Sequence, residues 1–343
     1  MRWNHNQQTL GAGGDNLKKL CMLCVLCMPL GVLAAPGSAH AGITTVRTLD
    51  ASKGELPESI TIDPAGNLYA SMGATIRKIT PGGNMTVFAT LPVPAGVLAA
   101  GLKFDDHGWL YAATGSLSPV PPAAFIWRIS PWGTVSQFAA LDPAGFPNDL
   151  AFNDDDELFV TDPLLGLIWK IDEDGEPDVW LADPAFEGNE AAPFLVLSPF
   201  GVDGIAFNED HDELFVGNLD YGTILRIEVD CDGEPGDVET WVDDFDNLAG
   251  ADGLAFDERG TLFVAVNGQD RLASISKWGN VNIIAEGGLL DAPSSLVFGQ
   301  SGFNKKTLYI SSFAITRAFG IFPGTPHPAL LKMPVKYKGQ DLL

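Results

Sequence analysis

Apolar and polar residues alternate with a period of two through most of the chain, in short runs broken by Gly, Pro, Asp and Asn. That alternation predicts half-buried strands, and the breaks predict tight turns between antiparallel neighbours. No long stretch carries the 3.6-residue period of a helix. The runs recur as a unit. A first strand ends on apolar residues at Glu58-Ser-Ile-Thr-Ile62, Ala100-Gly-Leu-Lys-Phe104, Asn148-Asp-Leu-Ala-Phe152, Asp203-Gly-Ile-Ala-Phe207, Asp252-Gly-Leu-Ala-Phe256 and Ser294-Ser-Leu-Val-Phe298. A second strand opens at Leu68-Tyr69, Leu110-Tyr111, Leu158-Phe159, Leu214-Phe215, Leu262-Phe263 and Leu308-Tyr309. A third strand reads Ile76-Arg-Lys-Ile79, Ile126-Trp-Arg-Ile129, Ile168-Trp-Lys-Ile171, Ile224-Leu-Arg-Ile227 and Leu272-Ala-Ser-Ile275, and a fourth follows a Gly-containing turn.

Six units of four strands, begun 42 to 55 residues apart, have the size of propeller blades. The expected fold is therefore all-β: a six-bladed β-propeller, four antiparallel strands per blade, around a central channel. Only the outer part of the sixth unit is blurred. Residues Ile43–Leu49 and the tail 329–337 compete to supply its outer strand.

The start of the chain has a different character. Lys18 and Lys19 precede an apolar run, Leu20 to Ala35, and small residues follow, ending in Ala39-His40-Ala41. This is the layout of a cleaved export signal, so 1–41 is expected to be a signal peptide and 42–343 a single mature domain in the periplasm or outside the cell. An uncleaved N-terminal anchor is the alternative. Cys21, Cys24 and Cys27 fall inside the discarded run, which leaves Cys231 alone and no intrachain disulfide.

The chain has a formal charge of −24. The mature part reaches −26, because Arg2, Lys18 and Lys19 leave with the signal and only Asp15 goes with them. Such a surface repels nucleic acid and anionic membranes, and it favours cations. A monomer is expected.

In a propeller the first strand of each blade is innermost, and its opening residue faces the axis. That column reads Glu58, Ala100, Asn148, Asp203, Asp252 and Ser294. Three carboxylates converging on one axis beside an amide repel each other unless a cation joins them. Ca²⁺ takes such oxygen ligands in 6–8 positions, which leaves room for water or substrate. A hydrated channel without an ion, its carboxyl groups held protonated, is the competing reading. Asp162, Asn218 and Asn267 end second strands on the same face, where each either lines a pocket or caps a turn. The long insertions Thr114–Phe125 and Asp183–Phe200, with Phe186, Phe194 and Phe200, enter this face as an apolar lid. No His is placed for a Ser-His-Asp triad. The Asp172 and Asp230 segments resemble the start of a calcium loop but are expected to be Asp-Gly turns.

Taken together, Pro57-Glu58, Pro147-Asn148-Asp149, Asp203-Gly204-Ile205 and Asp252-Gly253-Leu254 resemble the SMP-30/gluconolactonase family of six-bladed propellers, over about 43 to 335. The resemblance implies a divalent-metal-dependent hydrolase of a small-molecule lactone or ester. It further implies that Glu58 and Asp252 ligate the ion, that Asn148 lines the site and that Asp252 is also the general base. Two positions depart from the family. Asp203 stands where Asn is usual and adds charge to the site. Phe146 stands where an Arg often contacts the sugar, and it points to a more apolar lactone or ester. A non-catalytic propeller that binds a ligand or a protein, with a structural ion or none, is the alternative function.

Overall fold

A computed structural model describes residues 42–117, 123–191 and 199–340 of the 343-residue chain. The expected signal peptide and Phe194 lie outside the described residues. The repeat folds into six sheets, each of four antiparallel strands. The inner strands are Pro57–Ile62, Leu98–Phe104, Leu150–Phe152, Val202–Phe207, Ala251–Phe256 and Pro293–Phe298. Each packs on the next, and the sixth packs on the first, so the sheets close into a six-bladed β-propeller. Closure buries the faces of every sheet between its neighbours and leaves each blade only its outer strand as an edge.

Both segments that compete for the last blade belong to it. The tail supplies the third strand, Ala329–Pro334, and the N-terminal Thr44–Thr48 pairs outside it in antiparallel register. The third strand is hidden in the sequence because 313–328 separates it from the second strand, Thr307–Ser312. The ring is thus sealed by hydrogen bonds between its two ends, from Thr44↔Lys332 to Thr48↔Ala329.

The two aromatic positions of the repeat explain how the blades adhere. In blades 1 to 5 the ring that opens the second strand meets, edge to face, the Phe that ends the first strand of the next blade. The pairs are Tyr69–Phe104, Tyr111–Phe152, Phe159–Phe207, Phe215–Phe256 and Phe263–Phe298, with centroids 5.0 to 5.5 Å apart. Such pairs add about 0.5–1.5 kcal/mol each to their area burial. The Asp-Gly steps have a separate cause. A Cβ at Gly204 would lie 2.0 Å from the Asp252 carbonyl oxygen, and one at Gly253 would lie 2.6 Å from that of Ser294. Glycine therefore lets adjacent inner strands touch near the axis.

The calcium-loop look-alikes are turns. Asp172 Oδ1 accepts from the Asp174 and Glu176 amides, and Asp230 Oδ1 accepts from those of Asp232 and Glu234.

Candidate functional site

The opening residues of the inner strands converge at one end of the channel. Glu58, Asn148, Asp203 and Asp252 line one cavity of about 70 Å³, together with Ala100 and Asn267. Strand geometry brings this about: four side chains at equivalent positions of four blades meet near the axis, although they are far apart in the sequence. The Asn148 amide donates to Asp203 Oδ1. Asn267 Nδ2 donates to Asp252 Oδ2 at 3.0 Å. Asp203, Asn148 and Asp252 are 1%, 5% and 8% exposed, so the cluster is almost dry.

The walls above these oxygens are apolar: Leu98, Leu117, Phe146, Phe200 and Leu219 on one side, and Phe313, Ile315 and Ile321 on the other. Phe146 and Phe200 pack edge to face with centroids 5.7 Å apart, so the blade-3 insertion does reach the pocket. Phe186 does not. It is fully buried in the core between blades 3 and 4. The repeat does not predict the 313–321 wall. Its one hint in the sequence is the apolar Phe313-Ala-Ile315 after the last second strand.

Two of the residues expected at the site take structural roles. Asp162 is fully buried away from the cavity. Its Oδ1 accepts from the Phe146 amide at 2.9 Å and its Oδ2 from Trp169 Nε1 at 3.3 Å. It therefore positions the Phe146 backbone. Asn218 Nδ2 donates to the carbonyls of Ala185 and Glu187, both at 3.0 Å, and fastens the blade-3 insertion to blade 4. In both cases the side chain caps nearby backbone because a buried amide or carbonyl must find a partner. Asn267 does line the cavity.

Burial pushes the carboxyl groups of Glu58, Asp203 and Asp252 well above the usual carboxylate range, and their mutual repulsion adds to the effect. Two oxygens in the cluster lack any hydrogen-bond partner: Glu58 Oε2 and Asn267 Oδ1 are buried and unpaired. Unpaired buried oxygens are costly and call for an explanation. A divalent cation satisfies them and cancels the repulsion at once. The donors are all oxygen, three of them carboxylates, which suits a hard ion such as Ca²⁺ better than a thiophilic or imidazole-seeking metal. The chemistry of the donor set therefore fits such an ion, although among the described residues Glu58, Asp203 and Asp252 do not all bring an oxygen within 4.8 Å of one another.

Residues 199–314 match the SMP-30/gluconolactonase/LRE-like family model. Over that third of the chain the sequence is similar to SMP-30/gluconolactonase-like proteins. The matched region spans blade 4, blade 5 and the first two strands of blade 6. It therefore holds Asp203, Asp252 and Asn267, while Glu58 and Asn148 lie before it. No curated protein matches the chain in sequence. Among solved structures, a luciferin-regenerating enzyme superposes with a TM-score of 0.65 at 14% identity, over 88% of this chain and 98% of that one. A calcium-binding regucalcin from Agrobacterium tumefaciens gives 0.64 at 17%, over 88% and 96%. A gluconolactonase from Xanthomonas campestris gives 0.61 at 17%, over 87% and 92%. At these identities the likeness is one of fold.

The two departures from an SMP-30/gluconolactonase-like site have physical consequences. Asp203 places a third carboxylate against Asn148 and Asp252. Phe146 turns a wall of the pocket apolar and seals it against Phe200.

Proposed function

We propose that this chain is an exported, cation-dependent hydrolase of an apolar lactone or ester. One observation carries the reading: three repelling carboxyl groups and two unpaired oxygens lie beneath a pocket walled by Phe, Leu and Ile. The gluconolactonase and calcium-binding regucalcin among its structural neighbours support that reading. Glu58, Asn148, Asp203 and Asp252 would hold the ion, most suitably Ca²⁺. When bound, it would polarise a carbonyl and balance the charge that develops on its oxygen. Asp252 takes a proton from the attacking water, and Asn267 orients it through the bond to Oδ2. The water oxygen adds to the acyl carbon, the acyl C–O bond breaks, and the alcohol oxygen gains the proton. The apolar walls hold the acyl chain and exclude bulk water, which strengthens every charge interaction on the floor.

An export signal in 1–41 accords with such a role in the periplasm or outside the cell. The charge of the mature chain argues against nucleic acid or anionic membranes as partners.

The low exposure of Asp203 and Asn148 favours a second reading, a ligand-binding propeller whose ion is structural. A panel of medium-chain γ-lactones, phenyl esters and a sugar-acid lactone separates the two. The hydrolase reading expects turnover of an apolar substrate faster than of the sugar-acid lactone, its loss in EDTA and its return with calcium. Stable ion binding with no turnover of any substrate would support the binding reading instead.

A further inference from the structure

The channel has a second chamber. A cavity of about 100 Å³ lies at the opposite end from the carboxylates, and the two cavities share no lining residue. Polar groups of Thr61, Lys103, Asp149, Ser295 and Gln340 line it. Lys103 comes from the inner strand of blade 2. The equivalent positions of the other blades are Thr61, Ala151, Ala206, Ala255 and Val297, so this ring carries a single charge. Among the described residues, no carboxylate oxygen lies within 4.0 Å of its Nζ. The nearby acid, Asp149, is already engaged. Its Oδ1 accepts from the Leu150 amide at 2.9 Å and its Oδ2 from the Ile205 amide at 3.2 Å. Among the described residues, this lysine on the wall of a cavity has neither a hydrogen bond nor an ion pair to explain it.

We propose that Lys103 is a reactive amine that forms an imine with a small aldehyde admitted through this second mouth. Its half-buried position supports the assignment, because desolvation pushes the ammonium below the usual lysine range, while the charge of Asp149 opposes this. The neutral amine is the nucleophile. Its lone pair adds to the carbonyl carbon, and the carbonyl oxygen takes a proton to give a carbinolamine. Loss of that hydroxyl as water then leaves the C=N bond, so amine plus aldehyde become imine plus water. The chemistry is independent of the carboxylate site, and its test does not depend on hydrolysis.

The test is competitive labelling of the full folded protein at neutral pH, with limiting acetaldehyde and cyanoborohydride, followed by peptide mapping. Lys103 is expected to be alkylated at least about tenfold faster than the exposed Lys53, Lys277 and Lys332, the difference expected of an amine whose protonated form is disfavoured. Labelling should be unchanged by EDTA and absent from that peptide in Lys103→Met. A rate for Lys103 equal to or below that of the surface lysines would overturn the proposal.

Discussion

Asp252→Asn is expected to lose hydrolytic activity by about 10²–10⁴-fold, the range that a positioned general base supplies. The substitution is nearly isosteric and removes a carboxylate from a cluster that repels itself. The ion-free protein should therefore melt no lower than the parent. Asp203→Asn is the control. It removes the same charge but leaves Asp252 in place, so its activity should return when calcium is raised, whereas Asp252→Asn stays inactive at saturating calcium. Full activity in Asp252→Asn would remove Asp252 from the role of base. Recovery of both variants with calcium would make it a ligand alone.

Without a cation, the protein is expected to lose stability as pH rises. The folded-state pKa values of Glu58, Asp203 and Asp252 are raised above their unfolded values of 4.5, 3.8 and 3.8. The native state therefore binds more protons than the unfolded chain. This contribution is fully present below the unfolded values and is lost as pH climbs through the raised folded values. Calcium reverses the balance, because its ligands must be ionised and proton release favours binding at higher pH. At a hundredfold excess over Kd the ion adds about 2.7 kcal/mol. For a domain of this size that is roughly a 5 °C rise in Tm. The gap between calcium-loaded and EDTA-treated melting curves should widen from pH 5 to pH 8. A gap that narrows over that range would mean that the cluster is not the ion's site.

The fold was legible because its signals are periodic. The Leu-Tyr/Phe step recurs in every blade, and the first-strand Phe in every blade but the first, whose strand ends on Ile62. In the structure both positions serve edge-to-face contact across blade boundaries. The axial column was legible for the same reason, since equal positions in equal blades must converge. Illegible were the features that the repeat does not dictate. Asp162 and Asn218 carry the right chemistry at the right height, yet neighbouring backbone groups claim their polar atoms first. The Phe313–Ile321 wall lies in a loop with no counterpart in other blades. The third strand of blade 6 is displaced by that same loop, so in sequence the tail resembles a rival to the N-terminal strand rather than its partner. Lys103 sits inside the repeat but breaks it, and only the cavity beside it gives the break a meaning.

The most direct test of the central claim is the calcium content of the purified protein, followed by equilibrium dialysis with ⁴⁵Ca²⁺ for the parent and for Glu58→Gln. One ion per chain in the parent, with binding weakened at least about tenfold when one of the carboxylate ligands is neutralised, is the expected result. No bound divalent cation in the parent, or binding unaffected by Glu58→Gln, would contradict a cation site at the head of the channel, and with it the hydrolase built on that site.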